Sequence, residues 1–195
     1  MNRITNLIDR LITLTIGIFY TFTIFTIGTF FPNQYVLKYP LFEYNTEVEF
    51  LNGLQTCINY HNLTIPESRR IPNSMMVSQA VLETGWGSSR LSSEANNLYG
   101  IKSFNETKPH VHALKNKKVM YRSFEHKCQS VGEYIRLLNN HKAYKKFRDL
   151  RHNMIYMNMP LDSRQLVKTL DKYSETPDYA ERVIRIIDKV ENMHK

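Results

Sequence analysis

From residue 46 onward, apolar side chains recur mostly at helical spacing, and one short alternating stretch interrupts them. Thr46 with Glu49 forms a capping-box pattern ahead of Phe50, Leu51, Leu54 and Ile58, which predicts the first helix. Pro66 and Pro72 bracket a loop. Ser74 then reads as the N-cap of a helix through Met76, Ala80 and Glu83 that Gly85 and Gly87 terminate. A short helix is expected across Ser88 to Ala95, followed by an Asn-Asn-Leu-Tyr-Gly turn. HVHAL and KVMYRSF alternate about Lys115-Asn116-Lys117 and predict a hairpin, which is the only β signal. Ser130 with Glu133, and Asp162 with Gln165, open two further amphipathic helices. Thr176 as N-cap with Pro177 at the first helical position opens the last, whose Val183, Ile186, Ile187 and Val190 form an inward stripe. The pattern is that of one mainly α domain over residues 45–195, with a small β-hairpin lobe.

The first 44 residues follow a different pattern. Leu11 to Phe31 is a run of 21 residues without a charge, long enough as a helix to cross a hydrocarbon core of about 30 Å. Arg3 and Arg10 precede it and place the N-terminus in the cytoplasm under the positive-inside rule. Residues 1–32 are therefore expected to be an N-terminal transmembrane anchor or uncleaved signal, and 33–44, interrupted by Pro40, a tether. This arrangement implies a single-pass protein of the cytoplasmic (inner) membrane with its domain on the periplasmic or extracytoplasmic side. A cleaved signal peptide and a buried amphiphilic helix are the other readings of the same run.

Charge changes the picture little. The net charge of +8 and pI near 9.4 favour encounter with polyanions without naming one, and no nucleic-acid-binding signature is present, so no nucleic-acid partner is expected. The two cysteines, Cys57 and Cys128, lack the spacing of a zinc ribbon or a redox motif, and whether they pair is open. His110 and His112 share a strand face without a further ligand at metal spacing, so no metal is expected.

Glu83 is the candidate for chemistry. It stands at i+7 from Met76 and i+3 from Ala80, so its carboxyl continues an apolar stripe. Apolar surroundings disfavour the charged carboxylate and keep the group protonated near neutrality, able to donate to a leaving oxygen. The pattern equally suits a helix-end carboxylate paired with a residue such as Arg90.

Three stretches carry a resemblance that bears on this choice. Met75–Phe104, MMVSQAVLETGWGSSRLSSEANNLYGIKSF, resembles the bacterial glucosaminidase family of flagellar-rod and autolysin type (glycoside hydrolase family 73-like), and in particular its Bax-like branch. YRSFEHKCQSVGEYIRLLNNHKAY, Tyr121–Tyr144, is similar to the segment after the hairpin, and KYSETPDYAERVIRII, Lys172–Ile187, to the family's C-terminal tyrosine motif. The resemblance covers about Glu67 to Val190. It implies a lysozyme-like α fold with the hairpin as one wall of a groove. It also implies hydrolysis of the β-1,4 bond after N-acetylglucosamine in peptidoglycan glycan strands, without a cofactor. Glu83 inherits the role of catalytic acid and Tyr173 that of the tyrosine facing it, while Tyr179 is expected to pack the motif. Asn97 and Tyr99 are the candidate sugar contacts, with Asn97 equally suited to bonding its own turn and Trp86 better suited to packing. Glu106 falls where the family's second acid is expected, and Glu125 reads as a surface charge.

Two other functions fit the same residues. A lytic transglycosylase also uses one glutamate on this fold, although the Gly-Leu-Met-Gln stretch typical of such enzymes is missing. A membrane-anchored wall-binding scaffold without turnover is the third reading. The oligomeric state is not specified by the sequence.

Overall fold

The computed structural model describes residue 15 and residues 38–193. The chain divides into two compact units, Met1–Lys38 and Tyr39–Lys195. In the first, Thr15 is helical, and the rest of the span expected over residues 11–31 lies outside the described residues. Among the described residues no helix is long and apolar enough to cross a membrane.

In the second unit, Thr46 and Glu49 cap each other's backbone as the sequence requires and open α1 (Glu47–Asn62). The helix buries Phe50, Leu51, Leu54, Cys57 and Ile58. α2 (Asn73–Thr84) starts directly after Pro72, and the expected cap Ser74 instead shares a hydrogen bond with Ser163, 2.6 Å away. α3 (Arg90–Ala95) is capped by Ser89, whose hydroxyl accepts from the Ser92 amide.

The lobe that follows has one strand more than the hairpin. β1 (Lys102–Ser103), β2 (His110–His112) and β3 (Met120–Arg122) form an antiparallel sheet in the order β1-β3-β2, with Tyr121 of β3 opposite both Lys102 and Val111. Two residues are too few for alternation to register, which is why β1 carried no signal of its own.

α4 (Lys127–Asn140) begins before the expected Ser130, because Gln129 accepts the backbone N–H groups of Glu125 and His126. α5 (Lys145–Tyr156) has no counterpart in the sequence reading. α6 (Ser163–Val167) is capped by Asp162 as expected. α7 (Tyr179–Met193) starts after the expected Pro177: Asp178 takes a left-handed φ of 55°, so neither Thr176 nor Pro177 belongs to the helix.

The core sits where α2 lies between α7 and α1, with α4 closing its other side. Cys57 and Cys128 are joined in a disulfide with Cα atoms 5.1 Å apart, tying α1 to α4. Part of the stretch expected to be a tether also belongs to this core. Tyr39, Phe42 and Tyr44 pack against it, and the Tyr44 hydroxyl donates to the Gly87 carbonyl at 2.8 Å.

Candidate active site

α2 ends abruptly one residue after Glu83. Gly85, Trp86 and Gly87 all take left-handed backbone, with φ of 55°, 60° and 84°. The Thr84 hydroxyl donates to the Ala80 carbonyl and accepts from the Gly87 amide, which fixes that turn. The conformation suits two glycines and strains the tryptophan between them. Trp86 packs against the core under the Lys189 ammonium, 4.4 Å from its ring centre, and does not line the cavity described next.

The helix end delivers Glu83 into a cavity of about 750 Å³. Its walls come from α2, the turn before β1, the sheet, the end of α4 and the loop between α6 and α7. Glu83 is half-buried. Burial raises its carboxyl above the ordinary range, while a hydrogen bond from the Tyr179 hydroxyl and the nearby Arg182 pull the other way. Gly100 passes close by: a Cβ on it would lie 3.2 Å from Glu83 Oε2, and its φ is +61°. The glycine of the Asn-Leu-Tyr-Gly turn thus leaves room for the acid.

Tyr173 lies beside Glu83 as expected, and Tyr179, expected only to pack the motif, faces the carboxyl as well. Tyr179 faces Glu83, and its hydroxyl accepts from Gln79 Nε2 at 2.9 Å. Tyr173 lines the cavity near Glu83, stacks on Tyr179 with ring centres 5.5 Å apart, and donates its hydroxyl proton to the Tyr99 carbonyl at 2.9 Å. Gln79 is fully buried and also accepts from the Tyr134 hydroxyl, a partner that sequence reasoning missed. A signal existed for both. Tyr179 extends the stripe of Val183, Ile187 and Val190 by one turn, and Gln79 lies four residues before Glu83 on the same face of α2.

Two expected sugar contacts are corrected. Asn97 is fully buried; its amide donates to the Ile101 and Arg122 carbonyls at 3.0 and 2.9 Å, and its oxygen accepts from the Ile101 amide at 3.0 Å. No polar atom of its side chain is left for an acetamido group. Tyr99 borders the cavity, but its ring is only 1 % exposed and stacks on Tyr134 at 4.1 Å, so it offers no face to a sugar.

The structure does not bring Glu106 to this cavity. The Asn105 side chain accepts from the Thr107 amide and hydroxyl, curling the turn after β1 and leaving Glu106 exposed in solvent. Glu125 is likewise exposed. The further carboxylates lining the cavity are Asp171 and Glu175. Asp171 is ion-paired with Lys146 at 3.0 Å, and Glu175 with Lys102 of β1 at 3.2 Å, joining the sheet to the loop before α7.

Residues 64–192 match the family model described as mannosyl-glycoprotein endo-beta-N-acetylglucosaminidase, which spans the helix of Glu83, the sheet and the tyrosine motif together. The chain belongs to the glucosaminidase family. Among curated relatives, Protein bax of Escherichia coli is 33% identical over 104 residues, covering 53% of this chain and 37% of that one. The peptidoglycan hydrolase FlgJ of Vibrio parahaemolyticus is 27% identical, covering 62% of this chain and 41% of its own. The exo-glucosaminidase LytG of Bacillus subtilis is 25% identical, covering 75% and 55%. This glucosaminidase chain thus spans about a third to just over half of the length of these relatives. A peptidoglycan hydrolase from Sphingomonas sp. A1 superposes with a TM-score of 0.57 at 24% identity, over 76% of this chain and 94% of that one. The catalytic domain of the Listeria monocytogenes autolysin Auto does so with 0.55 at 19%, over 79% and 90%. These likenesses establish a shared fold.

Proposed function

We propose that the chain is a peptidoglycan hydrolase that cleaves the β-1,4 bond after N-acetylglucosamine, with Glu83 as general acid. The observation that carries this reading is the half-buried Glu83 carboxyl, raised by burial, at the wall of the cavity in a glucosaminidase fold. The names of FlgJ and LytG, as a peptidoglycan hydrolase and an exo-glucosaminidase, support the substrate class.

In this reading protonated Glu83 gives its proton to the glycosidic oxygen as the bond from the anomeric carbon breaks. The carboxylate left behind is held by the Tyr179 hydroxyl and faces Arg182. Tyr173, fixed to the Tyr99 carbonyl, forms the wall beside the sugar. Water completes hydrolysis at the anomeric carbon. Asp171 or Glu175, once freed from its lysine, or the substrate's own 2-acetamido group would assist that step, and the anomeric configuration of the first product distinguishes a retaining from an inverting course.

The uncharged run over residues 11–31, with Arg3 and Arg10 before it, supports a tether in the cytoplasmic membrane with the domain outside the cytoplasm. The Cys57–Cys128 disulfide supports the same side, where such bonds persist.

The test is incubation of the full chain with purified peptidoglycan and mass spectrometry of the released ends, beside Glu83→Gln. Reducing N-acetylglucosamine ends that vanish in the variant are expected. Anhydro-muramyl ends would show a lytic transglycosylase, and binding without release a scaffold.

A further inference from the structure

Gln79 lies one turn before Glu83 on α2 and is fully buried. Its two amide ends are used differently. Oε1 accepts the hydroxyl proton of Tyr134 from α4, and Nε2 donates to the hydroxyl oxygen of Tyr179 from α7 at 2.9 Å. Glu83, one turn after Gln79, is the carboxyl that the Tyr179 hydroxyl faces. A phenol has one proton to give. Because Tyr134 has given its proton to Oε1, the N–H end of the amide faces Tyr179, and Tyr179, having accepted there, keeps its own proton to give to the carboxyl it faces.

We infer that Gln79 is a positioning residue, which fixes the direction of the chain Tyr134 to Gln79 to Tyr179 and so holds a donor on the Glu83 carboxyl. The surroundings are closed to substitutes. Tyr134 is fully buried and Tyr179 is 8 % exposed, and the Tyr99 ring stacks on Tyr134 with its own hydroxyl buried and unpartnered. A chain of hydrogen bonds running in one direction polarises each member, so the donor reaching Glu83 is stronger than an isolated phenol.

The groups facing Glu83 are Tyr179 and Arg182 of α7, Tyr134 of α4 and Tyr173 of the loop before α7. Across the cavity stand Lys102, His141, Asp171, Lys172 and Glu175. Only the Tyr179 bond depends on Gln79. Replacing Gln79 by methionine keeps its volume, removes both hydrogen bonds and leaves the charges in place.

The kinetic part of this inference rests on Glu83 being the acid; the titration part does not. The experiment follows the carboxyl carbon of Glu83 by NMR in the full chain labelled at glutamate, with the signal assigned by its loss in Glu83→Gln. Tyr179→Phe is expected to move the titration upward by about one pH unit, the worth of a hydrogen bond to a charged group. Gln79→Met is expected to move it the same way by about half as much, and to add nothing in the Tyr179→Phe background. The basic limb of the pH profile of kcat/KM should move with it. A Gln79→Met titration at the wild-type position, or a shift that adds fully to that of Tyr179→Phe, would overturn the inference. If Gln79→Met fails to fold, Tyr134→Phe takes its place: it frees Oε1 to draw the Tyr179 proton away, and an unmoved Glu83 would sink the idea. Full activity of Glu83→Gln would instead remove the catalytic reading and leave the titration result standing.

Discussion

The Tyr179 hydroxyl, held by Gln79 Nε2 at 2.9 Å, faces the Glu83 carboxyl, setting the first residue of α7 against the penultimate residue of α2. The contact sets the character of the carboxyl. Burial lifts the carboxyl, and Tyr179 and Arg182 restrain that lift, so the group combines a raised pKa with a held conjugate base.

The raised pKa has a sign for stability. Native Glu83 binds its proton more tightly than the unfolded chain does, so this contribution is fully present below the ordinary carboxyl value and is lost as pH rises through the raised one. Glu83→Gln should therefore melt higher than wild type at pH 7, with the gain disappearing in acid. Activity should fall by about 100-fold or more, the usual worth of general acid catalysis. Calorimetry at pH 4 and pH 7 beside a turnover assay checks both.

Tyr173 and Tyr179 should separate by what they break. Tyr173→Phe loses a hydrogen bond to a backbone carbonyl and should cost about 1 kcal/mol in denaturant unfolding, without moving the Glu83 titration.

Gly100→Ala places a methyl group 3.2 Å from Glu83 Oε2 on a backbone with φ of +61°. The left-handed conformation alone costs about 1–2 kcal/mol for a residue with a Cβ, and the added crowding falls on the acid. Loss of stability with a disproportionate fall in kcat is expected; an active variant with only a stability loss would show that Glu83 tolerates displacement.

Asn97→Ala should behave as a core lesion. It takes the Asn97 partner from four backbone groups in a buried site, a loss of about 2 kcal/mol or more. The residual folded enzyme should keep its KM, whereas a raised KM at full stability would restore Asn97 as a sugar contact.

Cys57→Ala with Cys128→Ala opens a link between residues 71 apart. The chain-entropy relation puts its loss at about 4 kcal/mol. Urea unfolding with and without reductant measures it: reduction should lower the wild-type midpoint towards that of the double variant and leave the variant unchanged.

The sequence made α1 and α2 legible because their apolar stripes are continuous and Glu83 breaks one of them visibly. α5 was not legible because Arg151, charged in the sequence, occupies one of its buried positions. Three acceptors, the Arg69 and Arg70 carbonyls and Asn139 Oδ1, hold that guanidinium inside. The start of the last helix turned on Asp178. A helix begun at Pro177 suited the cap pattern, but the left-handed residue delays it to Tyr179. Nor could spacing show that Asn97 spends its side chain on Ile101 and Arg122, since Arg122 comes from a strand beyond the hairpin turn.

The ion pair between Lys102 and Glu175 ties the sheet to the loop across from it, and both partners line the cavity that holds Glu83. Exposed pairs of this kind are worth at most about 1 kcal/mol, so roughly one molecule in six or more would have the pair open at any instant. The link between the sheet and the loop before α7 is therefore one that opens by a thermal fluctuation of two side chains, and added salt, which weakens the pair, loosens it further.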